Sequence, residues 1–292
     1  MSGLFEGRVA AVTGAGKGLG KAYALWLAEH GCAVVVNNRA HAGVPSSARA
    51  VVEEIVAAGG RAVMHEGSVD DPAAAERLFA TSLDAFGKLD ILVCNAGVMP
   101  EAPLAEMSVE DIQRVVSINV LGTILPVRAA WQHMLDRGYG RVVLTGSTVG
   151  VYGFQNVAAY GATRAGAVGL ARSLTLEVPD GADIGVNVIM PFAYTNMSSA
   201  AIDEAMPGSV SNAILPDKIA PVVGWLCSEG NRHRGHIFHA SGLRTTRIAI
   251  VESTPAMVDP DNVTALSAAG FALEPIFEPS ESSEAVGRLL GG

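Results

Sequence analysis

A doubly wound α/β sheet, with parallel strands and helices on both faces, is the fold this sequence predicts. Three observations carry it. Short runs rich in valine and isoleucine are mostly continuous rather than alternating, which is how strands buried on both faces read. Amphipathic stretches lie between them, and strand–helix alternation implies a parallel sheet with crossover helices. The first run leads straight into a glycine-rich turn, TGAGKGLG at 13–20, that opens a helical pattern.

Taken in order, the strand candidates are RVAAVTG (8–14), AVVVNN (33–38), RAVMHEGSV (61–69), LDILVCNAG (89–97), GRVVLTGS (140–147), GVNVIMP (185–191) and GHIFHAS (235–241). That makes about seven strands. Helical stretches fall near 19–30, 46–58, 72–86, 108–136, 157–177 and 216–229. Residues 1–247 read as one domain. Residues 248–292 read as a C-terminal extension of the same unit, with Pro255, Pro260, Pro275 and Pro279 and the run ESSE. The expectation is an irregular tail with one or two short helices, covering a substrate mouth or a subunit contact.

The 292 residues are 49% hydrophobic and 17% charged, enough for a sizeable core. A formal net charge of −9 argues against a general nucleic-acid binder, which needs clustered Lys and Arg. Cys32, Cys94 and Cys227 lie far apart in apolar stretches, without metal-ligand spacing, and read as small buried hydrophobes in a reducing compartment. No run reaches the ~18 apolar residues of a membrane span. The N-terminus MSGLFEGRVA has no apolar signal core. A cytoplasmic protein without membrane or metal is expected.

In TGAGKGLG, glycines allow a tight turn and close backbone approach, and the following helix offers its N-terminal N–H groups to a pyrophosphate. The second strand ends in Asn37, Asn38 and Arg39. An acid usual at that tip bonds the 2′-OH of NAD. Its absence, with Lys17 in the loop and Arg39 at the tip, favours NADP(H) over NAD(H), which stays the alternative.

Further along stand CNAG (94–97), Ser147 and, thirteen residues later, Tyr160. Together with TGAGKGLG these motifs resemble the short-chain dehydrogenase/reductase family, over roughly residues 7 to 242. GKGLGKAYALWLAEHG, VVEEIVAAGGRAV, RAAWQHM and APVVGWLCSE are most similar to its branch of (R)-hydroxyacyl-CoA dehydrogenase domains of peroxisomal multifunctional enzymes type 2. The resemblance implies a Rossmann fold and a catalytic set of Asn119, Ser147, Tyr160 and Arg164. In it tyrosine is the proton donor, serine holds the substrate oxygen and asparagine supports a water relay. The cation holds the nicotinamide ribose and favours the phenolate. It also implies cofactor contacts from Gly14, Lys17, Gly18, Leu19 and Gly20; from Asn38, Arg39, Ser68 and Val69; from Asn95, Ala96 and Gly97; and from Tyr160, Arg164, Pro191 and Thr195.

Five positions depart from the family pattern. Arg164 replaces lysine, Cys94 the first Asn of NNAG, Phe192 the glycine after Pro191, Asn38 an acid, and Ser68–Val69 an Asp-Val pair. Arginine keeps the charge, but it is planar, larger and a poor member of a proton relay.

Met99, Tyr152, Phe154, Phe192, Tyr194 and Met197 follow strand ends and suggest an apolar substrate pocket, although such residues also build ordinary core. Arg232, His233, Arg234, Arg244 and Arg247 suit either CoA or carrier phosphates or a subunit contact. His133, His236 and His239 lack partner spacing and read as structural or surface residues. The expected function is NADP(H)-dependent reduction of a ketone on an apolar acyl, polyketide-like or cyclic substrate by a homodimer or homotetramer. The alternative, raised by Arg164, is non-redox chemistry on the same fold (cyclisation, dehydration, isomerisation) or a nucleotide binder without catalysis.

Overall fold

A computed structural model describes residues 3–40, 43–195, 197–199, 203 and 211–253. The chain divides into two compact units, 1–247 and 248–292. The expectations for the tail fall outside the described residues from 254 onward.

Eight strands form one sheet: β1 Val9–Val12, β2 Ala33–Asn38, β3 Arg61–Glu66, β4 Ile91–Cys94, β5 Tyr139–Thr145, β6 Asp183–Phe192, β7 Ile237–Ser241 and β8 Arg244–Ile248. Their spatial order is β3-β2-β1-β4-β5-β6-β7-β8. All neighbours from β3 to β7 pair in parallel, with Val12 opposite Val36 and Val93 and with Val143 opposite Asn187. β8 is an addition to the expected seven. It follows β7 after Gly242 and Leu243, and a two-residue connection joins only antiparallel strands.

The helices are α1 Gly18–Glu29, α2 Ser47–Ala57, α3 Pro72–Phe86, α4 Val109–Val116, α5 Gly122–Arg137, α6 Val149–Tyr152, α7 Ala158–Leu176 and α8 Ala220–Cys227. Local chemistry sets their ends. Ser46 and Ser108 accept from the backbone N–H of Arg49 and Asp111 and cap α2 and α4. Asp71 caps α3, Pro72 opens it, and Gly87 ends it at φ 78°. The expected single helix over 108–136 is instead α4 and α5 joined by a π-helical turn, Ser117–Leu121, in which Gly122 N–H reaches back to Ser117 O.

Every residue of β1 and β4 is buried, and the main core lies on their α1 and α8 side, around Tyr23, Leu27, Val34, Val36, Ile91, Val93 and Leu226. At the N-terminal ends of the strands two carboxylates gather cations. Asp90, fully buried, pairs with Arg8, Lys88 and Arg137. Asp183 pairs with Arg141, Arg232 and Arg234. The expected Arg232–Arg247 cluster is thereby divided: Arg232 and Arg234 serve Asp183 at the start of β6, while Arg244 lies on β8.

The order reverses between β1 and β4, so the crevice outside their C-terminal ends is the natural ligand position in this topology. No helix among the described residues is long and apolar enough to cross a membrane. Nor do the described residues contain a group of three His, Cys, Asp or Glu that would hold a metal. The three cysteines are free and buried, and burial raises their thiol pKa, that of Cys94 to about 12.

Candidate active site

The glycine turn packs so closely that side chains would not fit. A Cβ on Gly14 (φ 62°) would stand 2.9 Å from Ala96 Cα, and one on Gly20 would stand 2.5 Å from Gly14 O. Asn95 closes the contact, donating from Nδ2 to Thr13 O at 3.0 Å while Thr13 Oγ accepts from the N–H of Asn95 and Ala96. A Cβ on Gly18 (φ 57°) would stand 3.9 Å from the methyl of Thr195, which follows β6. Helix α1 starts behind this turn with no side-chain cap at Lys17 and no acid in its first turn. Its first N–H groups are an anion site of the kind a pyrophosphate fills. The residues present therefore fit a dinucleotide: the turn leaves no side chain at Gly14 and Gly20, and the uncapped start of α1 leaves backbone N–H groups that could hold its phosphates.

At the tip of β2, Asn38 donates from Nδ2 to Ser47 Oγ at 2.7 Å, and a Cβ on Gly16 would collide with that Ser47 hydroxyl. Lys17 and Arg39 are exposed and join no ion pair among the described residues. Ser47 was not anticipated; its signal is the Ser-Ser pair opening α2 beside the missing acid. Beyond β3, Val69 is buried with 7% exposure, and Ser68 Oγ donates to Asp70.

The catalytic candidates lie on three elements. Ser147 follows β5, where its Oγ accepts from Val149 N–H at 3.2 Å. Tyr160 and Arg164 are both buried on α7, one turn apart. The Arg164 guanidinium carbon lies 5.5 Å from the Tyr160 ring centroid.

Arg164 is only 3% exposed. Its Nη1 donates to Thr145 O at 2.9 Å, and Nη2 makes a long contact, 3.5 Å, to Ala96 O. The Nε proton has no partner among the described residues, nor has Thr145 Oγ. A Cβ on Gly97 would stand 1.7 Å from Nη2, so the guanidinium occupies the space that Gly97 leaves. Arginine therefore braces the ends of β4 and β5. The resemblance gave this position ribose hydroxyls to hold; here its longer, planar head is turned to two backbone carbonyls. No carboxylate pairs with it among the described residues, so a buried positive charge stays uncompensated beside Tyr160.

Asn119 sits in the π turn, a rare conformation that recurs at functional sites. Its Oδ1 accepts from Val98 N–H at 2.9 Å; its Nδ2 donates to Val98 O at 3.0 Å and Thr163 Oγ at 3.1 Å. Thr163 Oγ in turn reaches Tyr160 O at 2.8 Å. The Asn119 backbone carbonyl accepts from Thr123 Oγ at 2.8 Å. The side chain expected in a water relay is thus spent fastening the loop after β4 to α7.

Of the substrate-pocket candidates, Met99 lines a cavity of about 160 Å³ with Val98, Pro100 and Arg114; the other five do not line it. Tyr152 and Phe154 project, 70% and 61% exposed, and Met197 is exposed after β6. Phe192 and Tyr194 are half-buried, with the Tyr194 hydroxyl donating to Asp203 at 2.9 Å. Pro191 pairs with Ala240 within the sheet. Among the histidines, His133 Nε2 accepts from Leu89 N–H, and His233 and His236 bond to each other.

The short chain dehydrogenase family profile matches residues 8–205. The mouse peroxisomal multifunctional enzyme type 2 is 38% identical over 239 residues, 80% of this chain and 31% of that protein. The chain thus spans under a third of that relative's length. A 3-oxoacyl-[acyl-carrier-protein] reductase of a Synechocystis species is 38% identical over 225 residues, 76% of this chain and 90% of that protein. The crystal structure of a short chain dehydrogenase from Mycobacterium avium superposes with a TM-score of 0.80 at 31% identity, covering 94% of this chain and 99% of that one. The chain belongs to the short-chain dehydrogenase/reductase family of oxidoreductases, whose members bind a nicotinamide cofactor.

Proposed function

We propose that the protein is an NADP(H)-dependent oxidoreductase that reduces a ketone, or oxidises the corresponding secondary alcohol, on a largely apolar substrate such as a CoA- or carrier-bound acyl group. The observation that carries this reading is the buried Arg164 charge 5.5 Å from the Tyr160 ring centroid, in the space that Gly97 leaves, together with a glycine turn whose Gly14 and Gly20 have no room for side chains.

When bound, the reduced nicotinamide supplies a hydride to the carbonyl carbon. Tyr160 gives its phenolic proton to the carbonyl oxygen, so ketone becomes alcohol and phenol becomes phenolate. The Ser147 hydroxyl, accepting from Val149 N–H, keeps its own proton to donate to the same oxygen. Arg164 favours the charge left on Tyr160. Asn119 holds α7 through Thr163 and so holds Tyr160 in place.

Three features support NADP(H) over NAD(H). The β2 tip has no acid, Asn38 is engaged by Ser47, and Lys17 and Arg39 are exposed cations without ion-pair partners among the described residues. The likeness to a 3-oxoacyl-[acyl-carrier-protein] reductase and the apolar Met99, Tyr152 and Phe154 support an acyl ketone. A second reading, non-redox chemistry or nucleotide binding alone, draws on one observation: the Arg164 donors turn to Thr145 O and Ala96 O.

Tyr160→Phe tests the assignment. It is expected to abolish NADPH-dependent reduction of 3-oxoacyl thioesters while NADPH affinity changes by less than about threefold. Retained turnover would mean that the proton comes from elsewhere.

A further inference from the structure

The π turn that carries Asn119 is held at both of its closing residues by two consecutive residues of the loop after β3. The ring closes through Gly122 N–H to Ser117 O. Ser117 donates from Oγ to Asp70 Oδ2 at 2.6 Å. A Cβ on Gly122 would stand 2.4 Å from Val69 Cγ2, so Val69 fills the space that Gly122 leaves. Asp70 is itself fixed by Ser68, whose hydroxyl donates to its other oxygen. Burial alone would raise the Asp70 pKa, but the Ser117 and Ser68 hydrogen bonds and the nearby Arg39 charge hold it below the ordinary value. The carboxylate is therefore a charged acceptor at neutral pH, the strong kind.

The same loop is joined to the tip of β2. Asn37 donates from Nδ2 to Gly67 O at 3.0 Å. Arg39, the cation at that tip, acts electrostatically on Asp70. A continuous set of contacts thus runs from the β2 tip through Gly67–Asp70 to Ser117 and Gly122, then by Asn119 to Thr163 and Tyr160. A π turn gives up regular i→i−4 bonding and persists only where its surroundings fix it. Here the fixing residues belong to the strand end that meets the adenosine half of a dinucleotide in this topology.

We infer that Asp70, with Val69, is a positioning residue for the active-site π turn, and that the loop after β3 thereby couples the adenosine end of the cleft to Asn119 and Tyr160. For its nucleotide arm this inference rests on the dinucleotide reading of the glycine cradle; the tie itself does not.

Amide hydrogen exchange tests it on the full chain, with adenosine 2′,5′-bisphosphate as the probe. In the nucleotide-free protein, Ser117→Ala is expected to speed exchange of the 117–122 amides by about tenfold or more, with β1 and β2 amides unchanged. Ser117→Thr, which keeps the hydroxyl, should stay within about threefold of wild type. Saturating probe should slow exchange at both 67–70 and 117–122 in wild type, but only at 67–70 in Ser117→Ala. Wild-type exchange of 117–122 in Ser117→Ala, or equal probe protection of that segment in both proteins, overturns the inference. If Ser117→Ala does not fold, Asp70→Asn applies the same test from the other side of the bond. A probe that fails to bind counts against the dinucleotide reading, and the nucleotide-free comparison still decides the tie.

Discussion

Replacing Arg164 separates what its charge does from what its shape does. The guanidinium carbon is 5.5 Å from the Tyr160 ring centroid, in a buried setting without a carboxylate partner among the described residues. At an effective dielectric of about 20, unit charges roughly that far apart, if the phenolate charge is taken at the ring centre, interact by about 3 kcal/mol. If that attraction is felt only as phenolate develops, it is worth about 150-fold in turnover. Arg164→Met keeps much of the packing but removes the field and leaves Thr145 O without its donor. Turnover should fall by roughly a hundredfold. Arg164→Lys keeps the charge and loses one of the two carbonyl contacts, so its rate should lie within about tenfold of wild type. Steady-state NADPH oxidation with a 3-oxoacyl thioester reads the rates, and thermal melting of each variant separates chemistry from folding. A methionine variant as fast as wild type refutes the field argument. A lysine variant more than about tenfold faster, over ~1.4 kcal/mol of barrier, shows that arginine obstructs hydride chemistry and promotes the non-redox reading.

Two further predictions concern recognition and stability. Titration should show tighter binding of NADPH than NADH, and Lys17→Ala with Arg39→Ala should weaken NADPH alone, by about tenfold or more; equal affinities in wild type would refute this cofactor choice. Burial depresses the pKa of His65, His133 and His239, assisted by Arg77 at His65 and by Arg137 at His133. The unfolded chain takes up these protons near pH 6.5 while the folded chain resists them, so this stability is present above about pH 6.5 and is lost as pH falls from there toward the folded values. The melting temperature should drop over that window, less steeply in His65→Gln; a rise on acidification would contradict the assignment.

Much of the fold was legible because fully buried parallel strands print continuous apolar runs: β1, β2 and β4 lie within the segments marked by valine and isoleucine, and β6 contains its segment and runs past it at both ends. β8 escaped because RTTRI is an exposed polar edge strand with no apolar period. The π turn escaped because SINVLG continues a helical pattern, and one extra residue in the turn leaves no mark on periodicity. Tyr160 and Arg164 were legible as neighbours from their spacing alone. The partners of the site were not: Asn119 meets Val98 and Thr163 across 21 and 44 residues, and Arg164 meets backbone carbonyls, which any residue supplies. Long-range contacts and backbone acceptors have no signature in residue type. The cationic cluster near the C-terminal strands looked like one patch only because its members are close in sequence; Asp183 at the far strand end claims Arg232 and Arg234.

The central claim is that these residues reduce a carbonyl. Its most direct test is isotope transfer from NADPH deuterated at the nicotinamide C4, measured by mass spectrometry of the product from a 3-oxoacyl thioester. Here both faces of C4 are tried in turn. The account predicts that one of the two labels moves to the carbinol carbon in wild type and that no labelled alcohol forms with Tyr160→Phe. A product rearranged, dehydrated or cyclised without label, and without consumption of NADPH, would contradict it.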